Sequence, residues 1–192
     1  HCYDISKRGY INLLLNPDKA TNNTGDSKES LVARKAYLNK GYYDPILNQV
    51  ITCIDEFKHQ DHLSILDLGC GEGYYTQGLK KHFESSDVYG LDISKIAIDM
   101  ATRYRKDITW LVGNSKNIPI LDHSLDFICA LFTVVNQDEL KRALKEDGYI
   151  IHVTANNQHL IEIKELIYDE IKVKSDKYIR LDFNQVKSYD FK

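Results

Sequence analysis

Residues 64–76 read Ser-Ile-Leu-Asp-Leu-Gly-Cys-Gly-Glu-Gly-Tyr-Tyr-Thr, which is a short apolar strand followed at once by a glycine-rich turn. A helix can begin after the turn, near Tyr74, so the stretch is typical of a strand–helix–strand unit. In an open parallel sheet, ligands bind at the carboxyl ends of the strands, where this turn lies. Gly69 and Gly71 let the backbone turn sharply and let a ligand approach without interference from a Cβ atom.

The rest of the chain repeats this alternation of short apolar strands with amphipathic helices. It predicts a doubly wound, mostly parallel α/β sheet with helices on both faces. We predict strands over residues 64–68, 88–92, 108–112, 125–131 and 149–154, helices over 27–40, 43–57, 95–105 and 159–170, and strand pieces over 171–174 and 188–192. Residues 1–29 carry turn chemistry and are predicted to be irregular. We therefore divide the chain into an N-terminal segment with short helices, residues 1–60, and a ligand-binding domain, residues 61–192.

Composition limits the class of protein. The 192 residues, 43% hydrophobic and 28% charged, suit a globular domain with an accessory segment. No run approaches the roughly 20 apolar residues of a membrane helix and no export leader is evident, so a cytoplasmic location without membrane contact is expected. The four cysteines have neither disulfide nor zinc-site spacing.

The net charge of −3 is unevenly spread along the chain. Residues 1–40 carry seven basic and four acidic side chains, so the remainder is acidic. A polyanion would therefore make its first contact with the N-terminal segment, where Arg34 and Lys35 are candidates. A solvated mixed-charge surface, or a structural ion pair for Arg34, explains the same pattern equally well.

The spacing of the glycines indicates what the turn binds. Gly-x-Gly-x-Gly is neither the dinucleotide pattern Gly-x-Gly-x-x-Gly nor a phosphate loop, which argues against a pyrophosphate ligand. Asp67 is placed to accept hydrogen bonds from the turn amides or from a ligand ammonium. Asp92, about 20 residues after the turn, is placed to bind the two ribose hydroxyls of a nucleoside. The alternatives are a merely tight connection and, for Asp92, an acid at a helix N-terminus.

Two further loops complete the candidate site. Asn114 and Ser115 follow the third predicted strand, where an amide could bind an adenine edge, although a plain loop is the alternative. Residues 131–136 follow the fourth strand and read Leu-Phe-Thr-Val-Val-Asn. They contain neither the Asn/Asp-Pro-Pro-aromatic signature of exocyclic amine methylation nor the Pro-Cys pair of carbon-5 pyrimidine methylation. No catalytic residue or general base can be named from this segment.

With these motifs the chain resembles the guanine-N1 methyltransferases of large-subunit (23S) ribosomal RNA, which include the macrolide (tylosin-type) resistance enzymes. The resemblance is carried by Tyr3-Asp4, Gly9-Tyr10-Ile11-Asn12-Leu13-Leu14, Gly25-Asp26-Ser27, Ala33-Arg34, Gly41-Tyr42-Tyr43, the stretch 66–76, Gly90-Leu91-Asp92-Ile93-Ser94-Lys95 and His159-Leu160. It implies a class I, Rossmann-like fold and methyl transfer from S-adenosylmethionine to N1 of a guanine in 23S rRNA. It also implies that Gly71, Glu72, Tyr43 and His159 contact the cofactor. Without the resemblance, the sequence favours a core position for Tyr43 and a position at the start of a helix for His159.

The chain departs from the family pattern in three places. Complete members open with a zinc module whose last ligand matches His1, but the three cysteine ligands are missing, so we expect no zinc in this chain. The C-terminal part of the domain is expected to be shorter than in the family. Thr133-Val134-Val135-Asn136 also differs from the Ala-Pro-Cys type of family segment.

Two other functions remain open at the level of the sequence. The chain could be a non-catalytic remnant that binds RNA or cofactor, or a small-molecule methyltransferase on the same fold. Methyl transfer to an unmodified ribosomal RNA hairpin would separate the first reading from both. The expected partner is that hairpin, and a homodimer is an open alternative.

Overall fold

The computed structural model describes residues 5–14, 26–103, 105–155 and 182–190. Its strands are β1 (Tyr10–Asn12), β2 (Ser64–Leu68), β3 (Asp87–Asp92), β4 (Thr109–Val112), β5 (Leu125–Leu131) and β6 (Leu144–Val153). Its helices are α1 (Lys28–Leu38), α2 (Asp44–Phe57), α3 (Tyr74–His82), α4 (Lys95–Ala101) and α5 (Gln137–Ala143).

Within the described residues the strands form one sheet in the order β1-β4-β3-β2-β5-β6, and every neighbouring pair is parallel. From β2 the chain moves outward through β3 and β4, and then crosses to the other side of β2 for β5 and β6. This reversal confirms the predicted doubly wound fold. It opens a crevice between the carboxyl ends of β2 and β5, where such folds bind their ligands.

Alternation along β2 explains why both faces of the sheet are covered. Ile65 points into a core with residues of α2 and α3, whereas Leu66 and Leu68 point into a core on the opposite face with Leu140 of α5. All three side chains are at most 1% exposed. Successive side chains of a strand point to opposite faces, so a continuous apolar run is what a doubly covered strand requires.

The strand β1 lies in the segment predicted to be irregular, and that prediction is wrong for residues 10–12. Three residues are too few to show a period in the sequence. The strand exists because it pairs with the edge of β4, and the adjacent Leu13 N–H donates to the carbonyl of Val112 at 2.8 Å. The division of the chain at residue 60 stays a prediction.

Other boundaries differ from the predicted ones by a few residues. β6 begins at Leu144, directly after α5, and pairs with β5 across a register shift between Leu125 and Phe127. α4 ends at Ala101, and residues 188–190 are irregular where a strand was predicted. The predicted helix over 159–170 and strand over 171–174 lie outside the described residues. None of the helices described is long and apolar enough to span a membrane.

Candidate cofactor site

The glycine-rich turn after β2 depends on three glycines with positive φ angles, which are 74° at Gly69, 55° at Gly71 and 86° at Gly73. A Cβ on Gly69 would lie 2.2 Å from Oγ1 of Thr133, and one on Gly73 would lie 2.5 Å from the ring of Trp110. Above Gly71 the nearest group is the guanidinium of Arg34, at 4.0 Å. Gly69 and Gly73 therefore close the turn against the protein, whereas Gly71 leaves space above it.

The amides of the turn are bound within the protein. The N–H groups of Gly69 and Cys70 donate to the carbonyl of Leu91 at 2.8 and 3.0 Å, and Gly71 N–H donates to Oδ2 of Asp92 at 2.8 Å. The expectation that Asp67 accepts from these amides is therefore wrong. The turn lies over the end of β3, so the last residues of β3 supply the acceptors.

Asp67 lies beneath the turn and is only 1% exposed. The hydroxyl of Thr76 donates to its Oδ2 at 2.5 Å. Burial raises the pKa of Asp67 to about 7; the hydrogen bond from Thr76 opposes this, and the nearby carboxyl groups of Asp92 and Glu72 add to it. Because Asp67 is buried beneath the turn, its carboxyl group would act on a ligand in the crevice through its charge.

Asp92 ends β3 and is held by two backbone donors. Gly71 N–H binds Oδ2, and Ser94 N–H binds Oδ1 at 2.7 Å. Burial raises the pKa of Asp92, while these backbone hydrogen bonds act in the opposite direction. Each carboxylate oxygen keeps a second lone pair, so the fixed carboxylate can still accept two hydroxyl donors.

These groups surround a cleft of about 250 Å³ at the carboxyl ends of β2, β3 and β5, with α1 along one side. It is lined by Asp26, Leu31, Arg34, Gly69, Gly71, Asp92, Ile93, Ser94, Ala97, Phe132 and Thr133. Of the predicted residues, Gly69, Gly71 and Asp92 line the cleft. Glu72, 4% exposed, is buried; burial raises its pKa, and the charges of Arg34 and Lys35 lower it.

The remaining predicted residues have other positions. Asn114 accepts a hydrogen bond from Lys116 N–H at 3.0 Å and so stabilises its own turn; neither it nor Ser115 lines the cleft. The same loop is tied to the site by Gly113 N–H, which donates to the carbonyl of Asp92 at 3.0 Å. Tyr43 does not itself line the cleft, but its ring centroid lies 6.1 Å from the ring centroid of Phe132, which does. His159 and His1 lie outside the described residues.

Reasoning from sequence assigned no cofactor role to several residues that form the cleft. Phe132 follows β5 with a φ of 57°, which is costly for a residue with a Cβ and is tolerated where the surroundings enforce it. Thr133 packs on Gly69, and Arg34 forms an ion pair with Asp26. The position of residues 132–133 at the end of a central strand was the available signal, but they match no catalytic motif.

In the described part of the chain, no three His, Cys, Asp or Glu side chains could together hold a metal ion.

Comparison with known proteins agrees with this geometry. A family model described as a methyltransferase domain matches residues 65–148. A Bacillus subtilis relative, named provisionally as a 23S rRNA (guanine-N(1)-)-methyltransferase, is 31% identical over 175 residues, which cover 88% of this chain and 61% of that protein. The 23S rRNA (guanine(748)-N(1))-methyltransferase of Streptomyces fradiae is 27% identical over 169 residues, which cover 87% of this chain and 59% of that protein. The chain thus spans about three fifths of the length of these relatives.

Solved structures show the same fold. A TehB-like S-adenosylmethionine-dependent methyltransferase from Corynebacterium glutamicum is 27% identical with a TM-score of 0.50, covering 64% of this chain and 69% of that one. A Methanococcus maripaludis protein, assigned provisionally as an S-adenosylmethionine-dependent methyltransferase, has a TM-score of 0.54 at 22% identity, covering 76% of this chain and 74% of that one. The chain therefore contains a class I, Rossmann-like S-adenosylmethionine-dependent methyltransferase domain, and most of its length is related to the 23S rRNA guanine-N1 methyltransferases that its motifs resemble.

Proposed function

We propose that this protein transfers a methyl group from S-adenosylmethionine to N1 of a guanine in 23S rRNA. The observation that carries the proposal is the extent of the similarity to the Bacillus subtilis relative. That similarity covers 88% of the chain, whereas the general methyltransferase model covers only residues 65–148. Because only 128 residues follow position 64, a similarity of this extent must also include at least about 40 residues up to that position. Helix α1, which lines one side of the cleft, lies in that part of the chain.

The cleft offers the groups that such a cofactor needs. Asp92 has two free acceptor positions for the ribose hydroxyls, and Gly71 leaves the backbone open to close approach. When bound, S-adenosylmethionine supplies an electrophilic methyl group on a positively charged sulfur. The buried carboxyl of Asp67, with its pKa of about 7, is available to balance that positive charge.

A group of aromatic side chains lies beside the cleft and suits a nucleobase. Tyr42 and Tyr37 have ring centroids 5.2 Å apart, Tyr37 and Tyr43 6.0 Å, and Tyr43 and Phe132 6.1 Å. Tyr42, Tyr37 and Phe132 are 62%, 45% and 42% exposed. We call these four residues the aromatic rim. Unpaired bases stack on exposed aromatic rings, so the rim supports a nucleic acid rather than a small aliphatic substrate.

The chemistry restricts how the guanine is presented. Its N1 lies on the Watson–Crick edge, so the base must be unpaired or turned out of its helix before the methyl group can reach it. Holding N1 in line with the methyl group and the sulfur is the main contribution expected of the protein, since positioning alone accelerates such reactions strongly. The transfer converts S-adenosylmethionine to S-adenosylhomocysteine and releases the N1 proton of the guanine.

The test is methyl transfer to an unmodified 23S rRNA hairpin that contains the guanine named for the Streptomyces fradiae relative, position 748. Nucleoside mass spectrometry should find 1-methylguanosine. A hairpin with adenine at that position should show none, and the Asp92→Ala variant should show less than the wild type when S-adenosylmethionine is limiting. If the protein binds S-adenosylmethionine but methylates no ribosomal RNA, the proposed substrate is wrong. If it binds no S-adenosylmethionine, the cofactor assignment is wrong as well.

A further inference from the structure

Arg34 has a distinctive place in the cofactor cleft. It extends from α1 over the glycine turn, and its Nη1 lies 4.0 Å from the position that a Cβ on Gly71 would take. Among the described residues that line the cleft it is the only basic one, whereas Asp26 and Asp92 are acidic. Its guanidinium forms an ion pair with Asp26, which also lines the cleft.

The surroundings of Arg34 are rich in carboxyl groups. Burial raises the pKa values of Glu72 and Asp92, and in both cases the positive charge of Arg34 acts in the opposite direction. Asp67 lies beneath the same turn. An anionic group that enters this cleft is therefore repelled by the acids nearby and attracted to the guanidinium of Arg34, the one basic group among the described residues of the lining.

The cofactor proposed above carries such an anionic group. Its amino acid portion ends in a carboxylate, and Asp92 is committed to the ribose. A guanidinium binds a carboxylate through two parallel hydrogen bonds, which is a geometry that neither an ammonium group nor a backbone amide reproduces. Asp26 already presents a carboxylate to Arg34, so the ion pair seen in the structure has the chemistry that the cofactor carboxylate would need.

We propose that Arg34 binds the amino acid carboxylate of the cofactor and that this carboxylate displaces Asp26. The inference rests on the proposed function only in requiring S-adenosylmethionine in this cleft, not on the identity of the RNA. Little is lost in the exchange, because the side chains of Arg34 and Asp26 are 48% and 40% exposed and such pairs are weak. Arg34 is then a residue that discriminates for the carboxylate, instead of the RNA phosphate contact considered from the sequence.

The test compares two ligands that differ only at this group, S-adenosylmethionine and its decarboxylated form, by calorimetric titration. The wild-type protein should prefer S-adenosylmethionine. Arg34→Gln should weaken binding of S-adenosylmethionine about 10- to 100-fold and leave binding of the decarboxylated ligand within about twofold, because only a charge-assisted hydrogen bond is lost. Asp26→Asn should strengthen binding of S-adenosylmethionine by up to about fivefold, since a competing exposed counterion is removed.

Arg103→Gln is the matched control, since Arg103 is also an exposed, ion-paired arginine but does not line the cleft. It should leave both affinities unchanged. Equal losses for both ligands in Arg34→Gln would show a structural role for Arg34, and unchanged affinity for both would place the carboxylate elsewhere; either result overturns the inference. A wild-type protein that binds neither ligand would instead refute the cofactor assignment, and failure to methylate RNA would leave this inference intact.

Discussion

At the scale of single residues, Asp67 shows how burial sets the chemistry of the site. A carboxyl that is 1% exposed and hydrogen-bonded to one hydroxyl loses most of its hydration, which raises its pKa to about 7. A cation in the cleft favours the ionised form. Burial therefore makes Asp67 a group whose charge responds to a positively charged ligand near neutral pH.

The raised pKa of Asp67 predicts how stability depends on pH. The unfolded chain releases this proton near pH 4 and the folded protein near pH 7, so the free energy of unfolding should fall as pH rises between these values. The fall contributed by Asp67 should be on the order of 4 kcal/mol at most. Asp67→Asn keeps an acceptor for Thr76 and should lack this fall, as urea unfolding between pH 4 and 8 would reveal.

All other titratable groups are present in both the wild type and Asp67→Asn, so the difference between the two curves reports the contribution of Asp67. The exposed Asp87 offers a matched control, Asp87→Asn, which should follow the wild type. Parallel curves for the wild type and Asp67→Asn would mean that Asp67 is not held neutral in the folded protein.

A second prediction at this scale concerns Asp92. Asp92→Ala should weaken S-adenosylmethionine binding by about 1–3 kcal/mol, because charge-assisted hydrogen bonds to the ribose are lost. Calorimetric titration measures it, with Asp87→Ala at the other end of β3 as the control. Asp92→Asn, which keeps an acceptor for one backbone amide, separates a loss of ribose binding from a collapse of the turn. Equal binding by all four proteins would refute the assignment of the ribose site.

At the scale of elements, Trp110 of β4 packs against the glycine of its neighbour β3. A Cβ on Gly90 would lie 2.5 Å from the indole ring, which is 1% exposed and donates to the carbonyl of Arg105 at 3.1 Å. The ring has no free space to move into, so Gly90→Ala should destabilise the protein by about 1–3 kcal/mol in urea unfolding. Trp110→Leu removes the obstacle, so the double variant should cost less than the sum of the two single changes. Strict additivity would show that the two residues do not clash.

The aromatic rim brings the loop after α1 close to the end of β5, and its most exposed member, Tyr42, is the best probe of RNA contact. Tyr42→Leu should raise the KM for the RNA hairpin about 5- to 100-fold while leaving cofactor affinity unchanged, because stacking of a base on the ring is lost. Tyr42→Phe keeps the ring and should behave nearly as the wild type. Tyr189→Leu, at another exposed tyrosine, controls for general surface effects. An unchanged KM in Tyr42→Leu would exclude stacking at this residue.

At the scale of the whole molecule, the cofactor cleft joins parts of the chain that are far apart in sequence. Its lining comes from residues 26–34, 69–71, 92–97 and 132–133. A ligand that binds only this assembled form stabilises the fold, by about 2.7 kcal/mol at a concentration 100 times its Kd. For a protein of this size the melting temperature should rise by roughly 5–10 °C.

Thermal unfolding followed with S-adenosylmethionine and with NAD measures this effect. Only the first should raise the melting temperature, because the glycine spacing argues against a pyrophosphate ligand. Asp92→Ala should show a smaller rise at the same ligand concentration. A rise with NAD alone would reverse the assignment of the cofactor.

The sequence by itself determined the doubly wound sheet and the position of the ligand site within it. β2 and β5 have the predicted bounds, and Gly71 and Asp92 meet at the predicted edge. These features are local: a buried strand must be apolar along its length, and a turn with positive φ needs glycine wherever it occurs. A pattern within a dozen residues is enough to reveal them.

Only the tertiary structure decided which other residues join that site. β1 exists because β4 has an open edge, and the Phe132 and Thr133 side chains matter because β5 lies beside β2. The position of Arg34 over Gly71 likewise depends on how α1 packs across the sheet. Such contacts join residues 35 to 100 positions apart. No local sequence pattern records them, because each arises only when elements that are distant along the chain pack together.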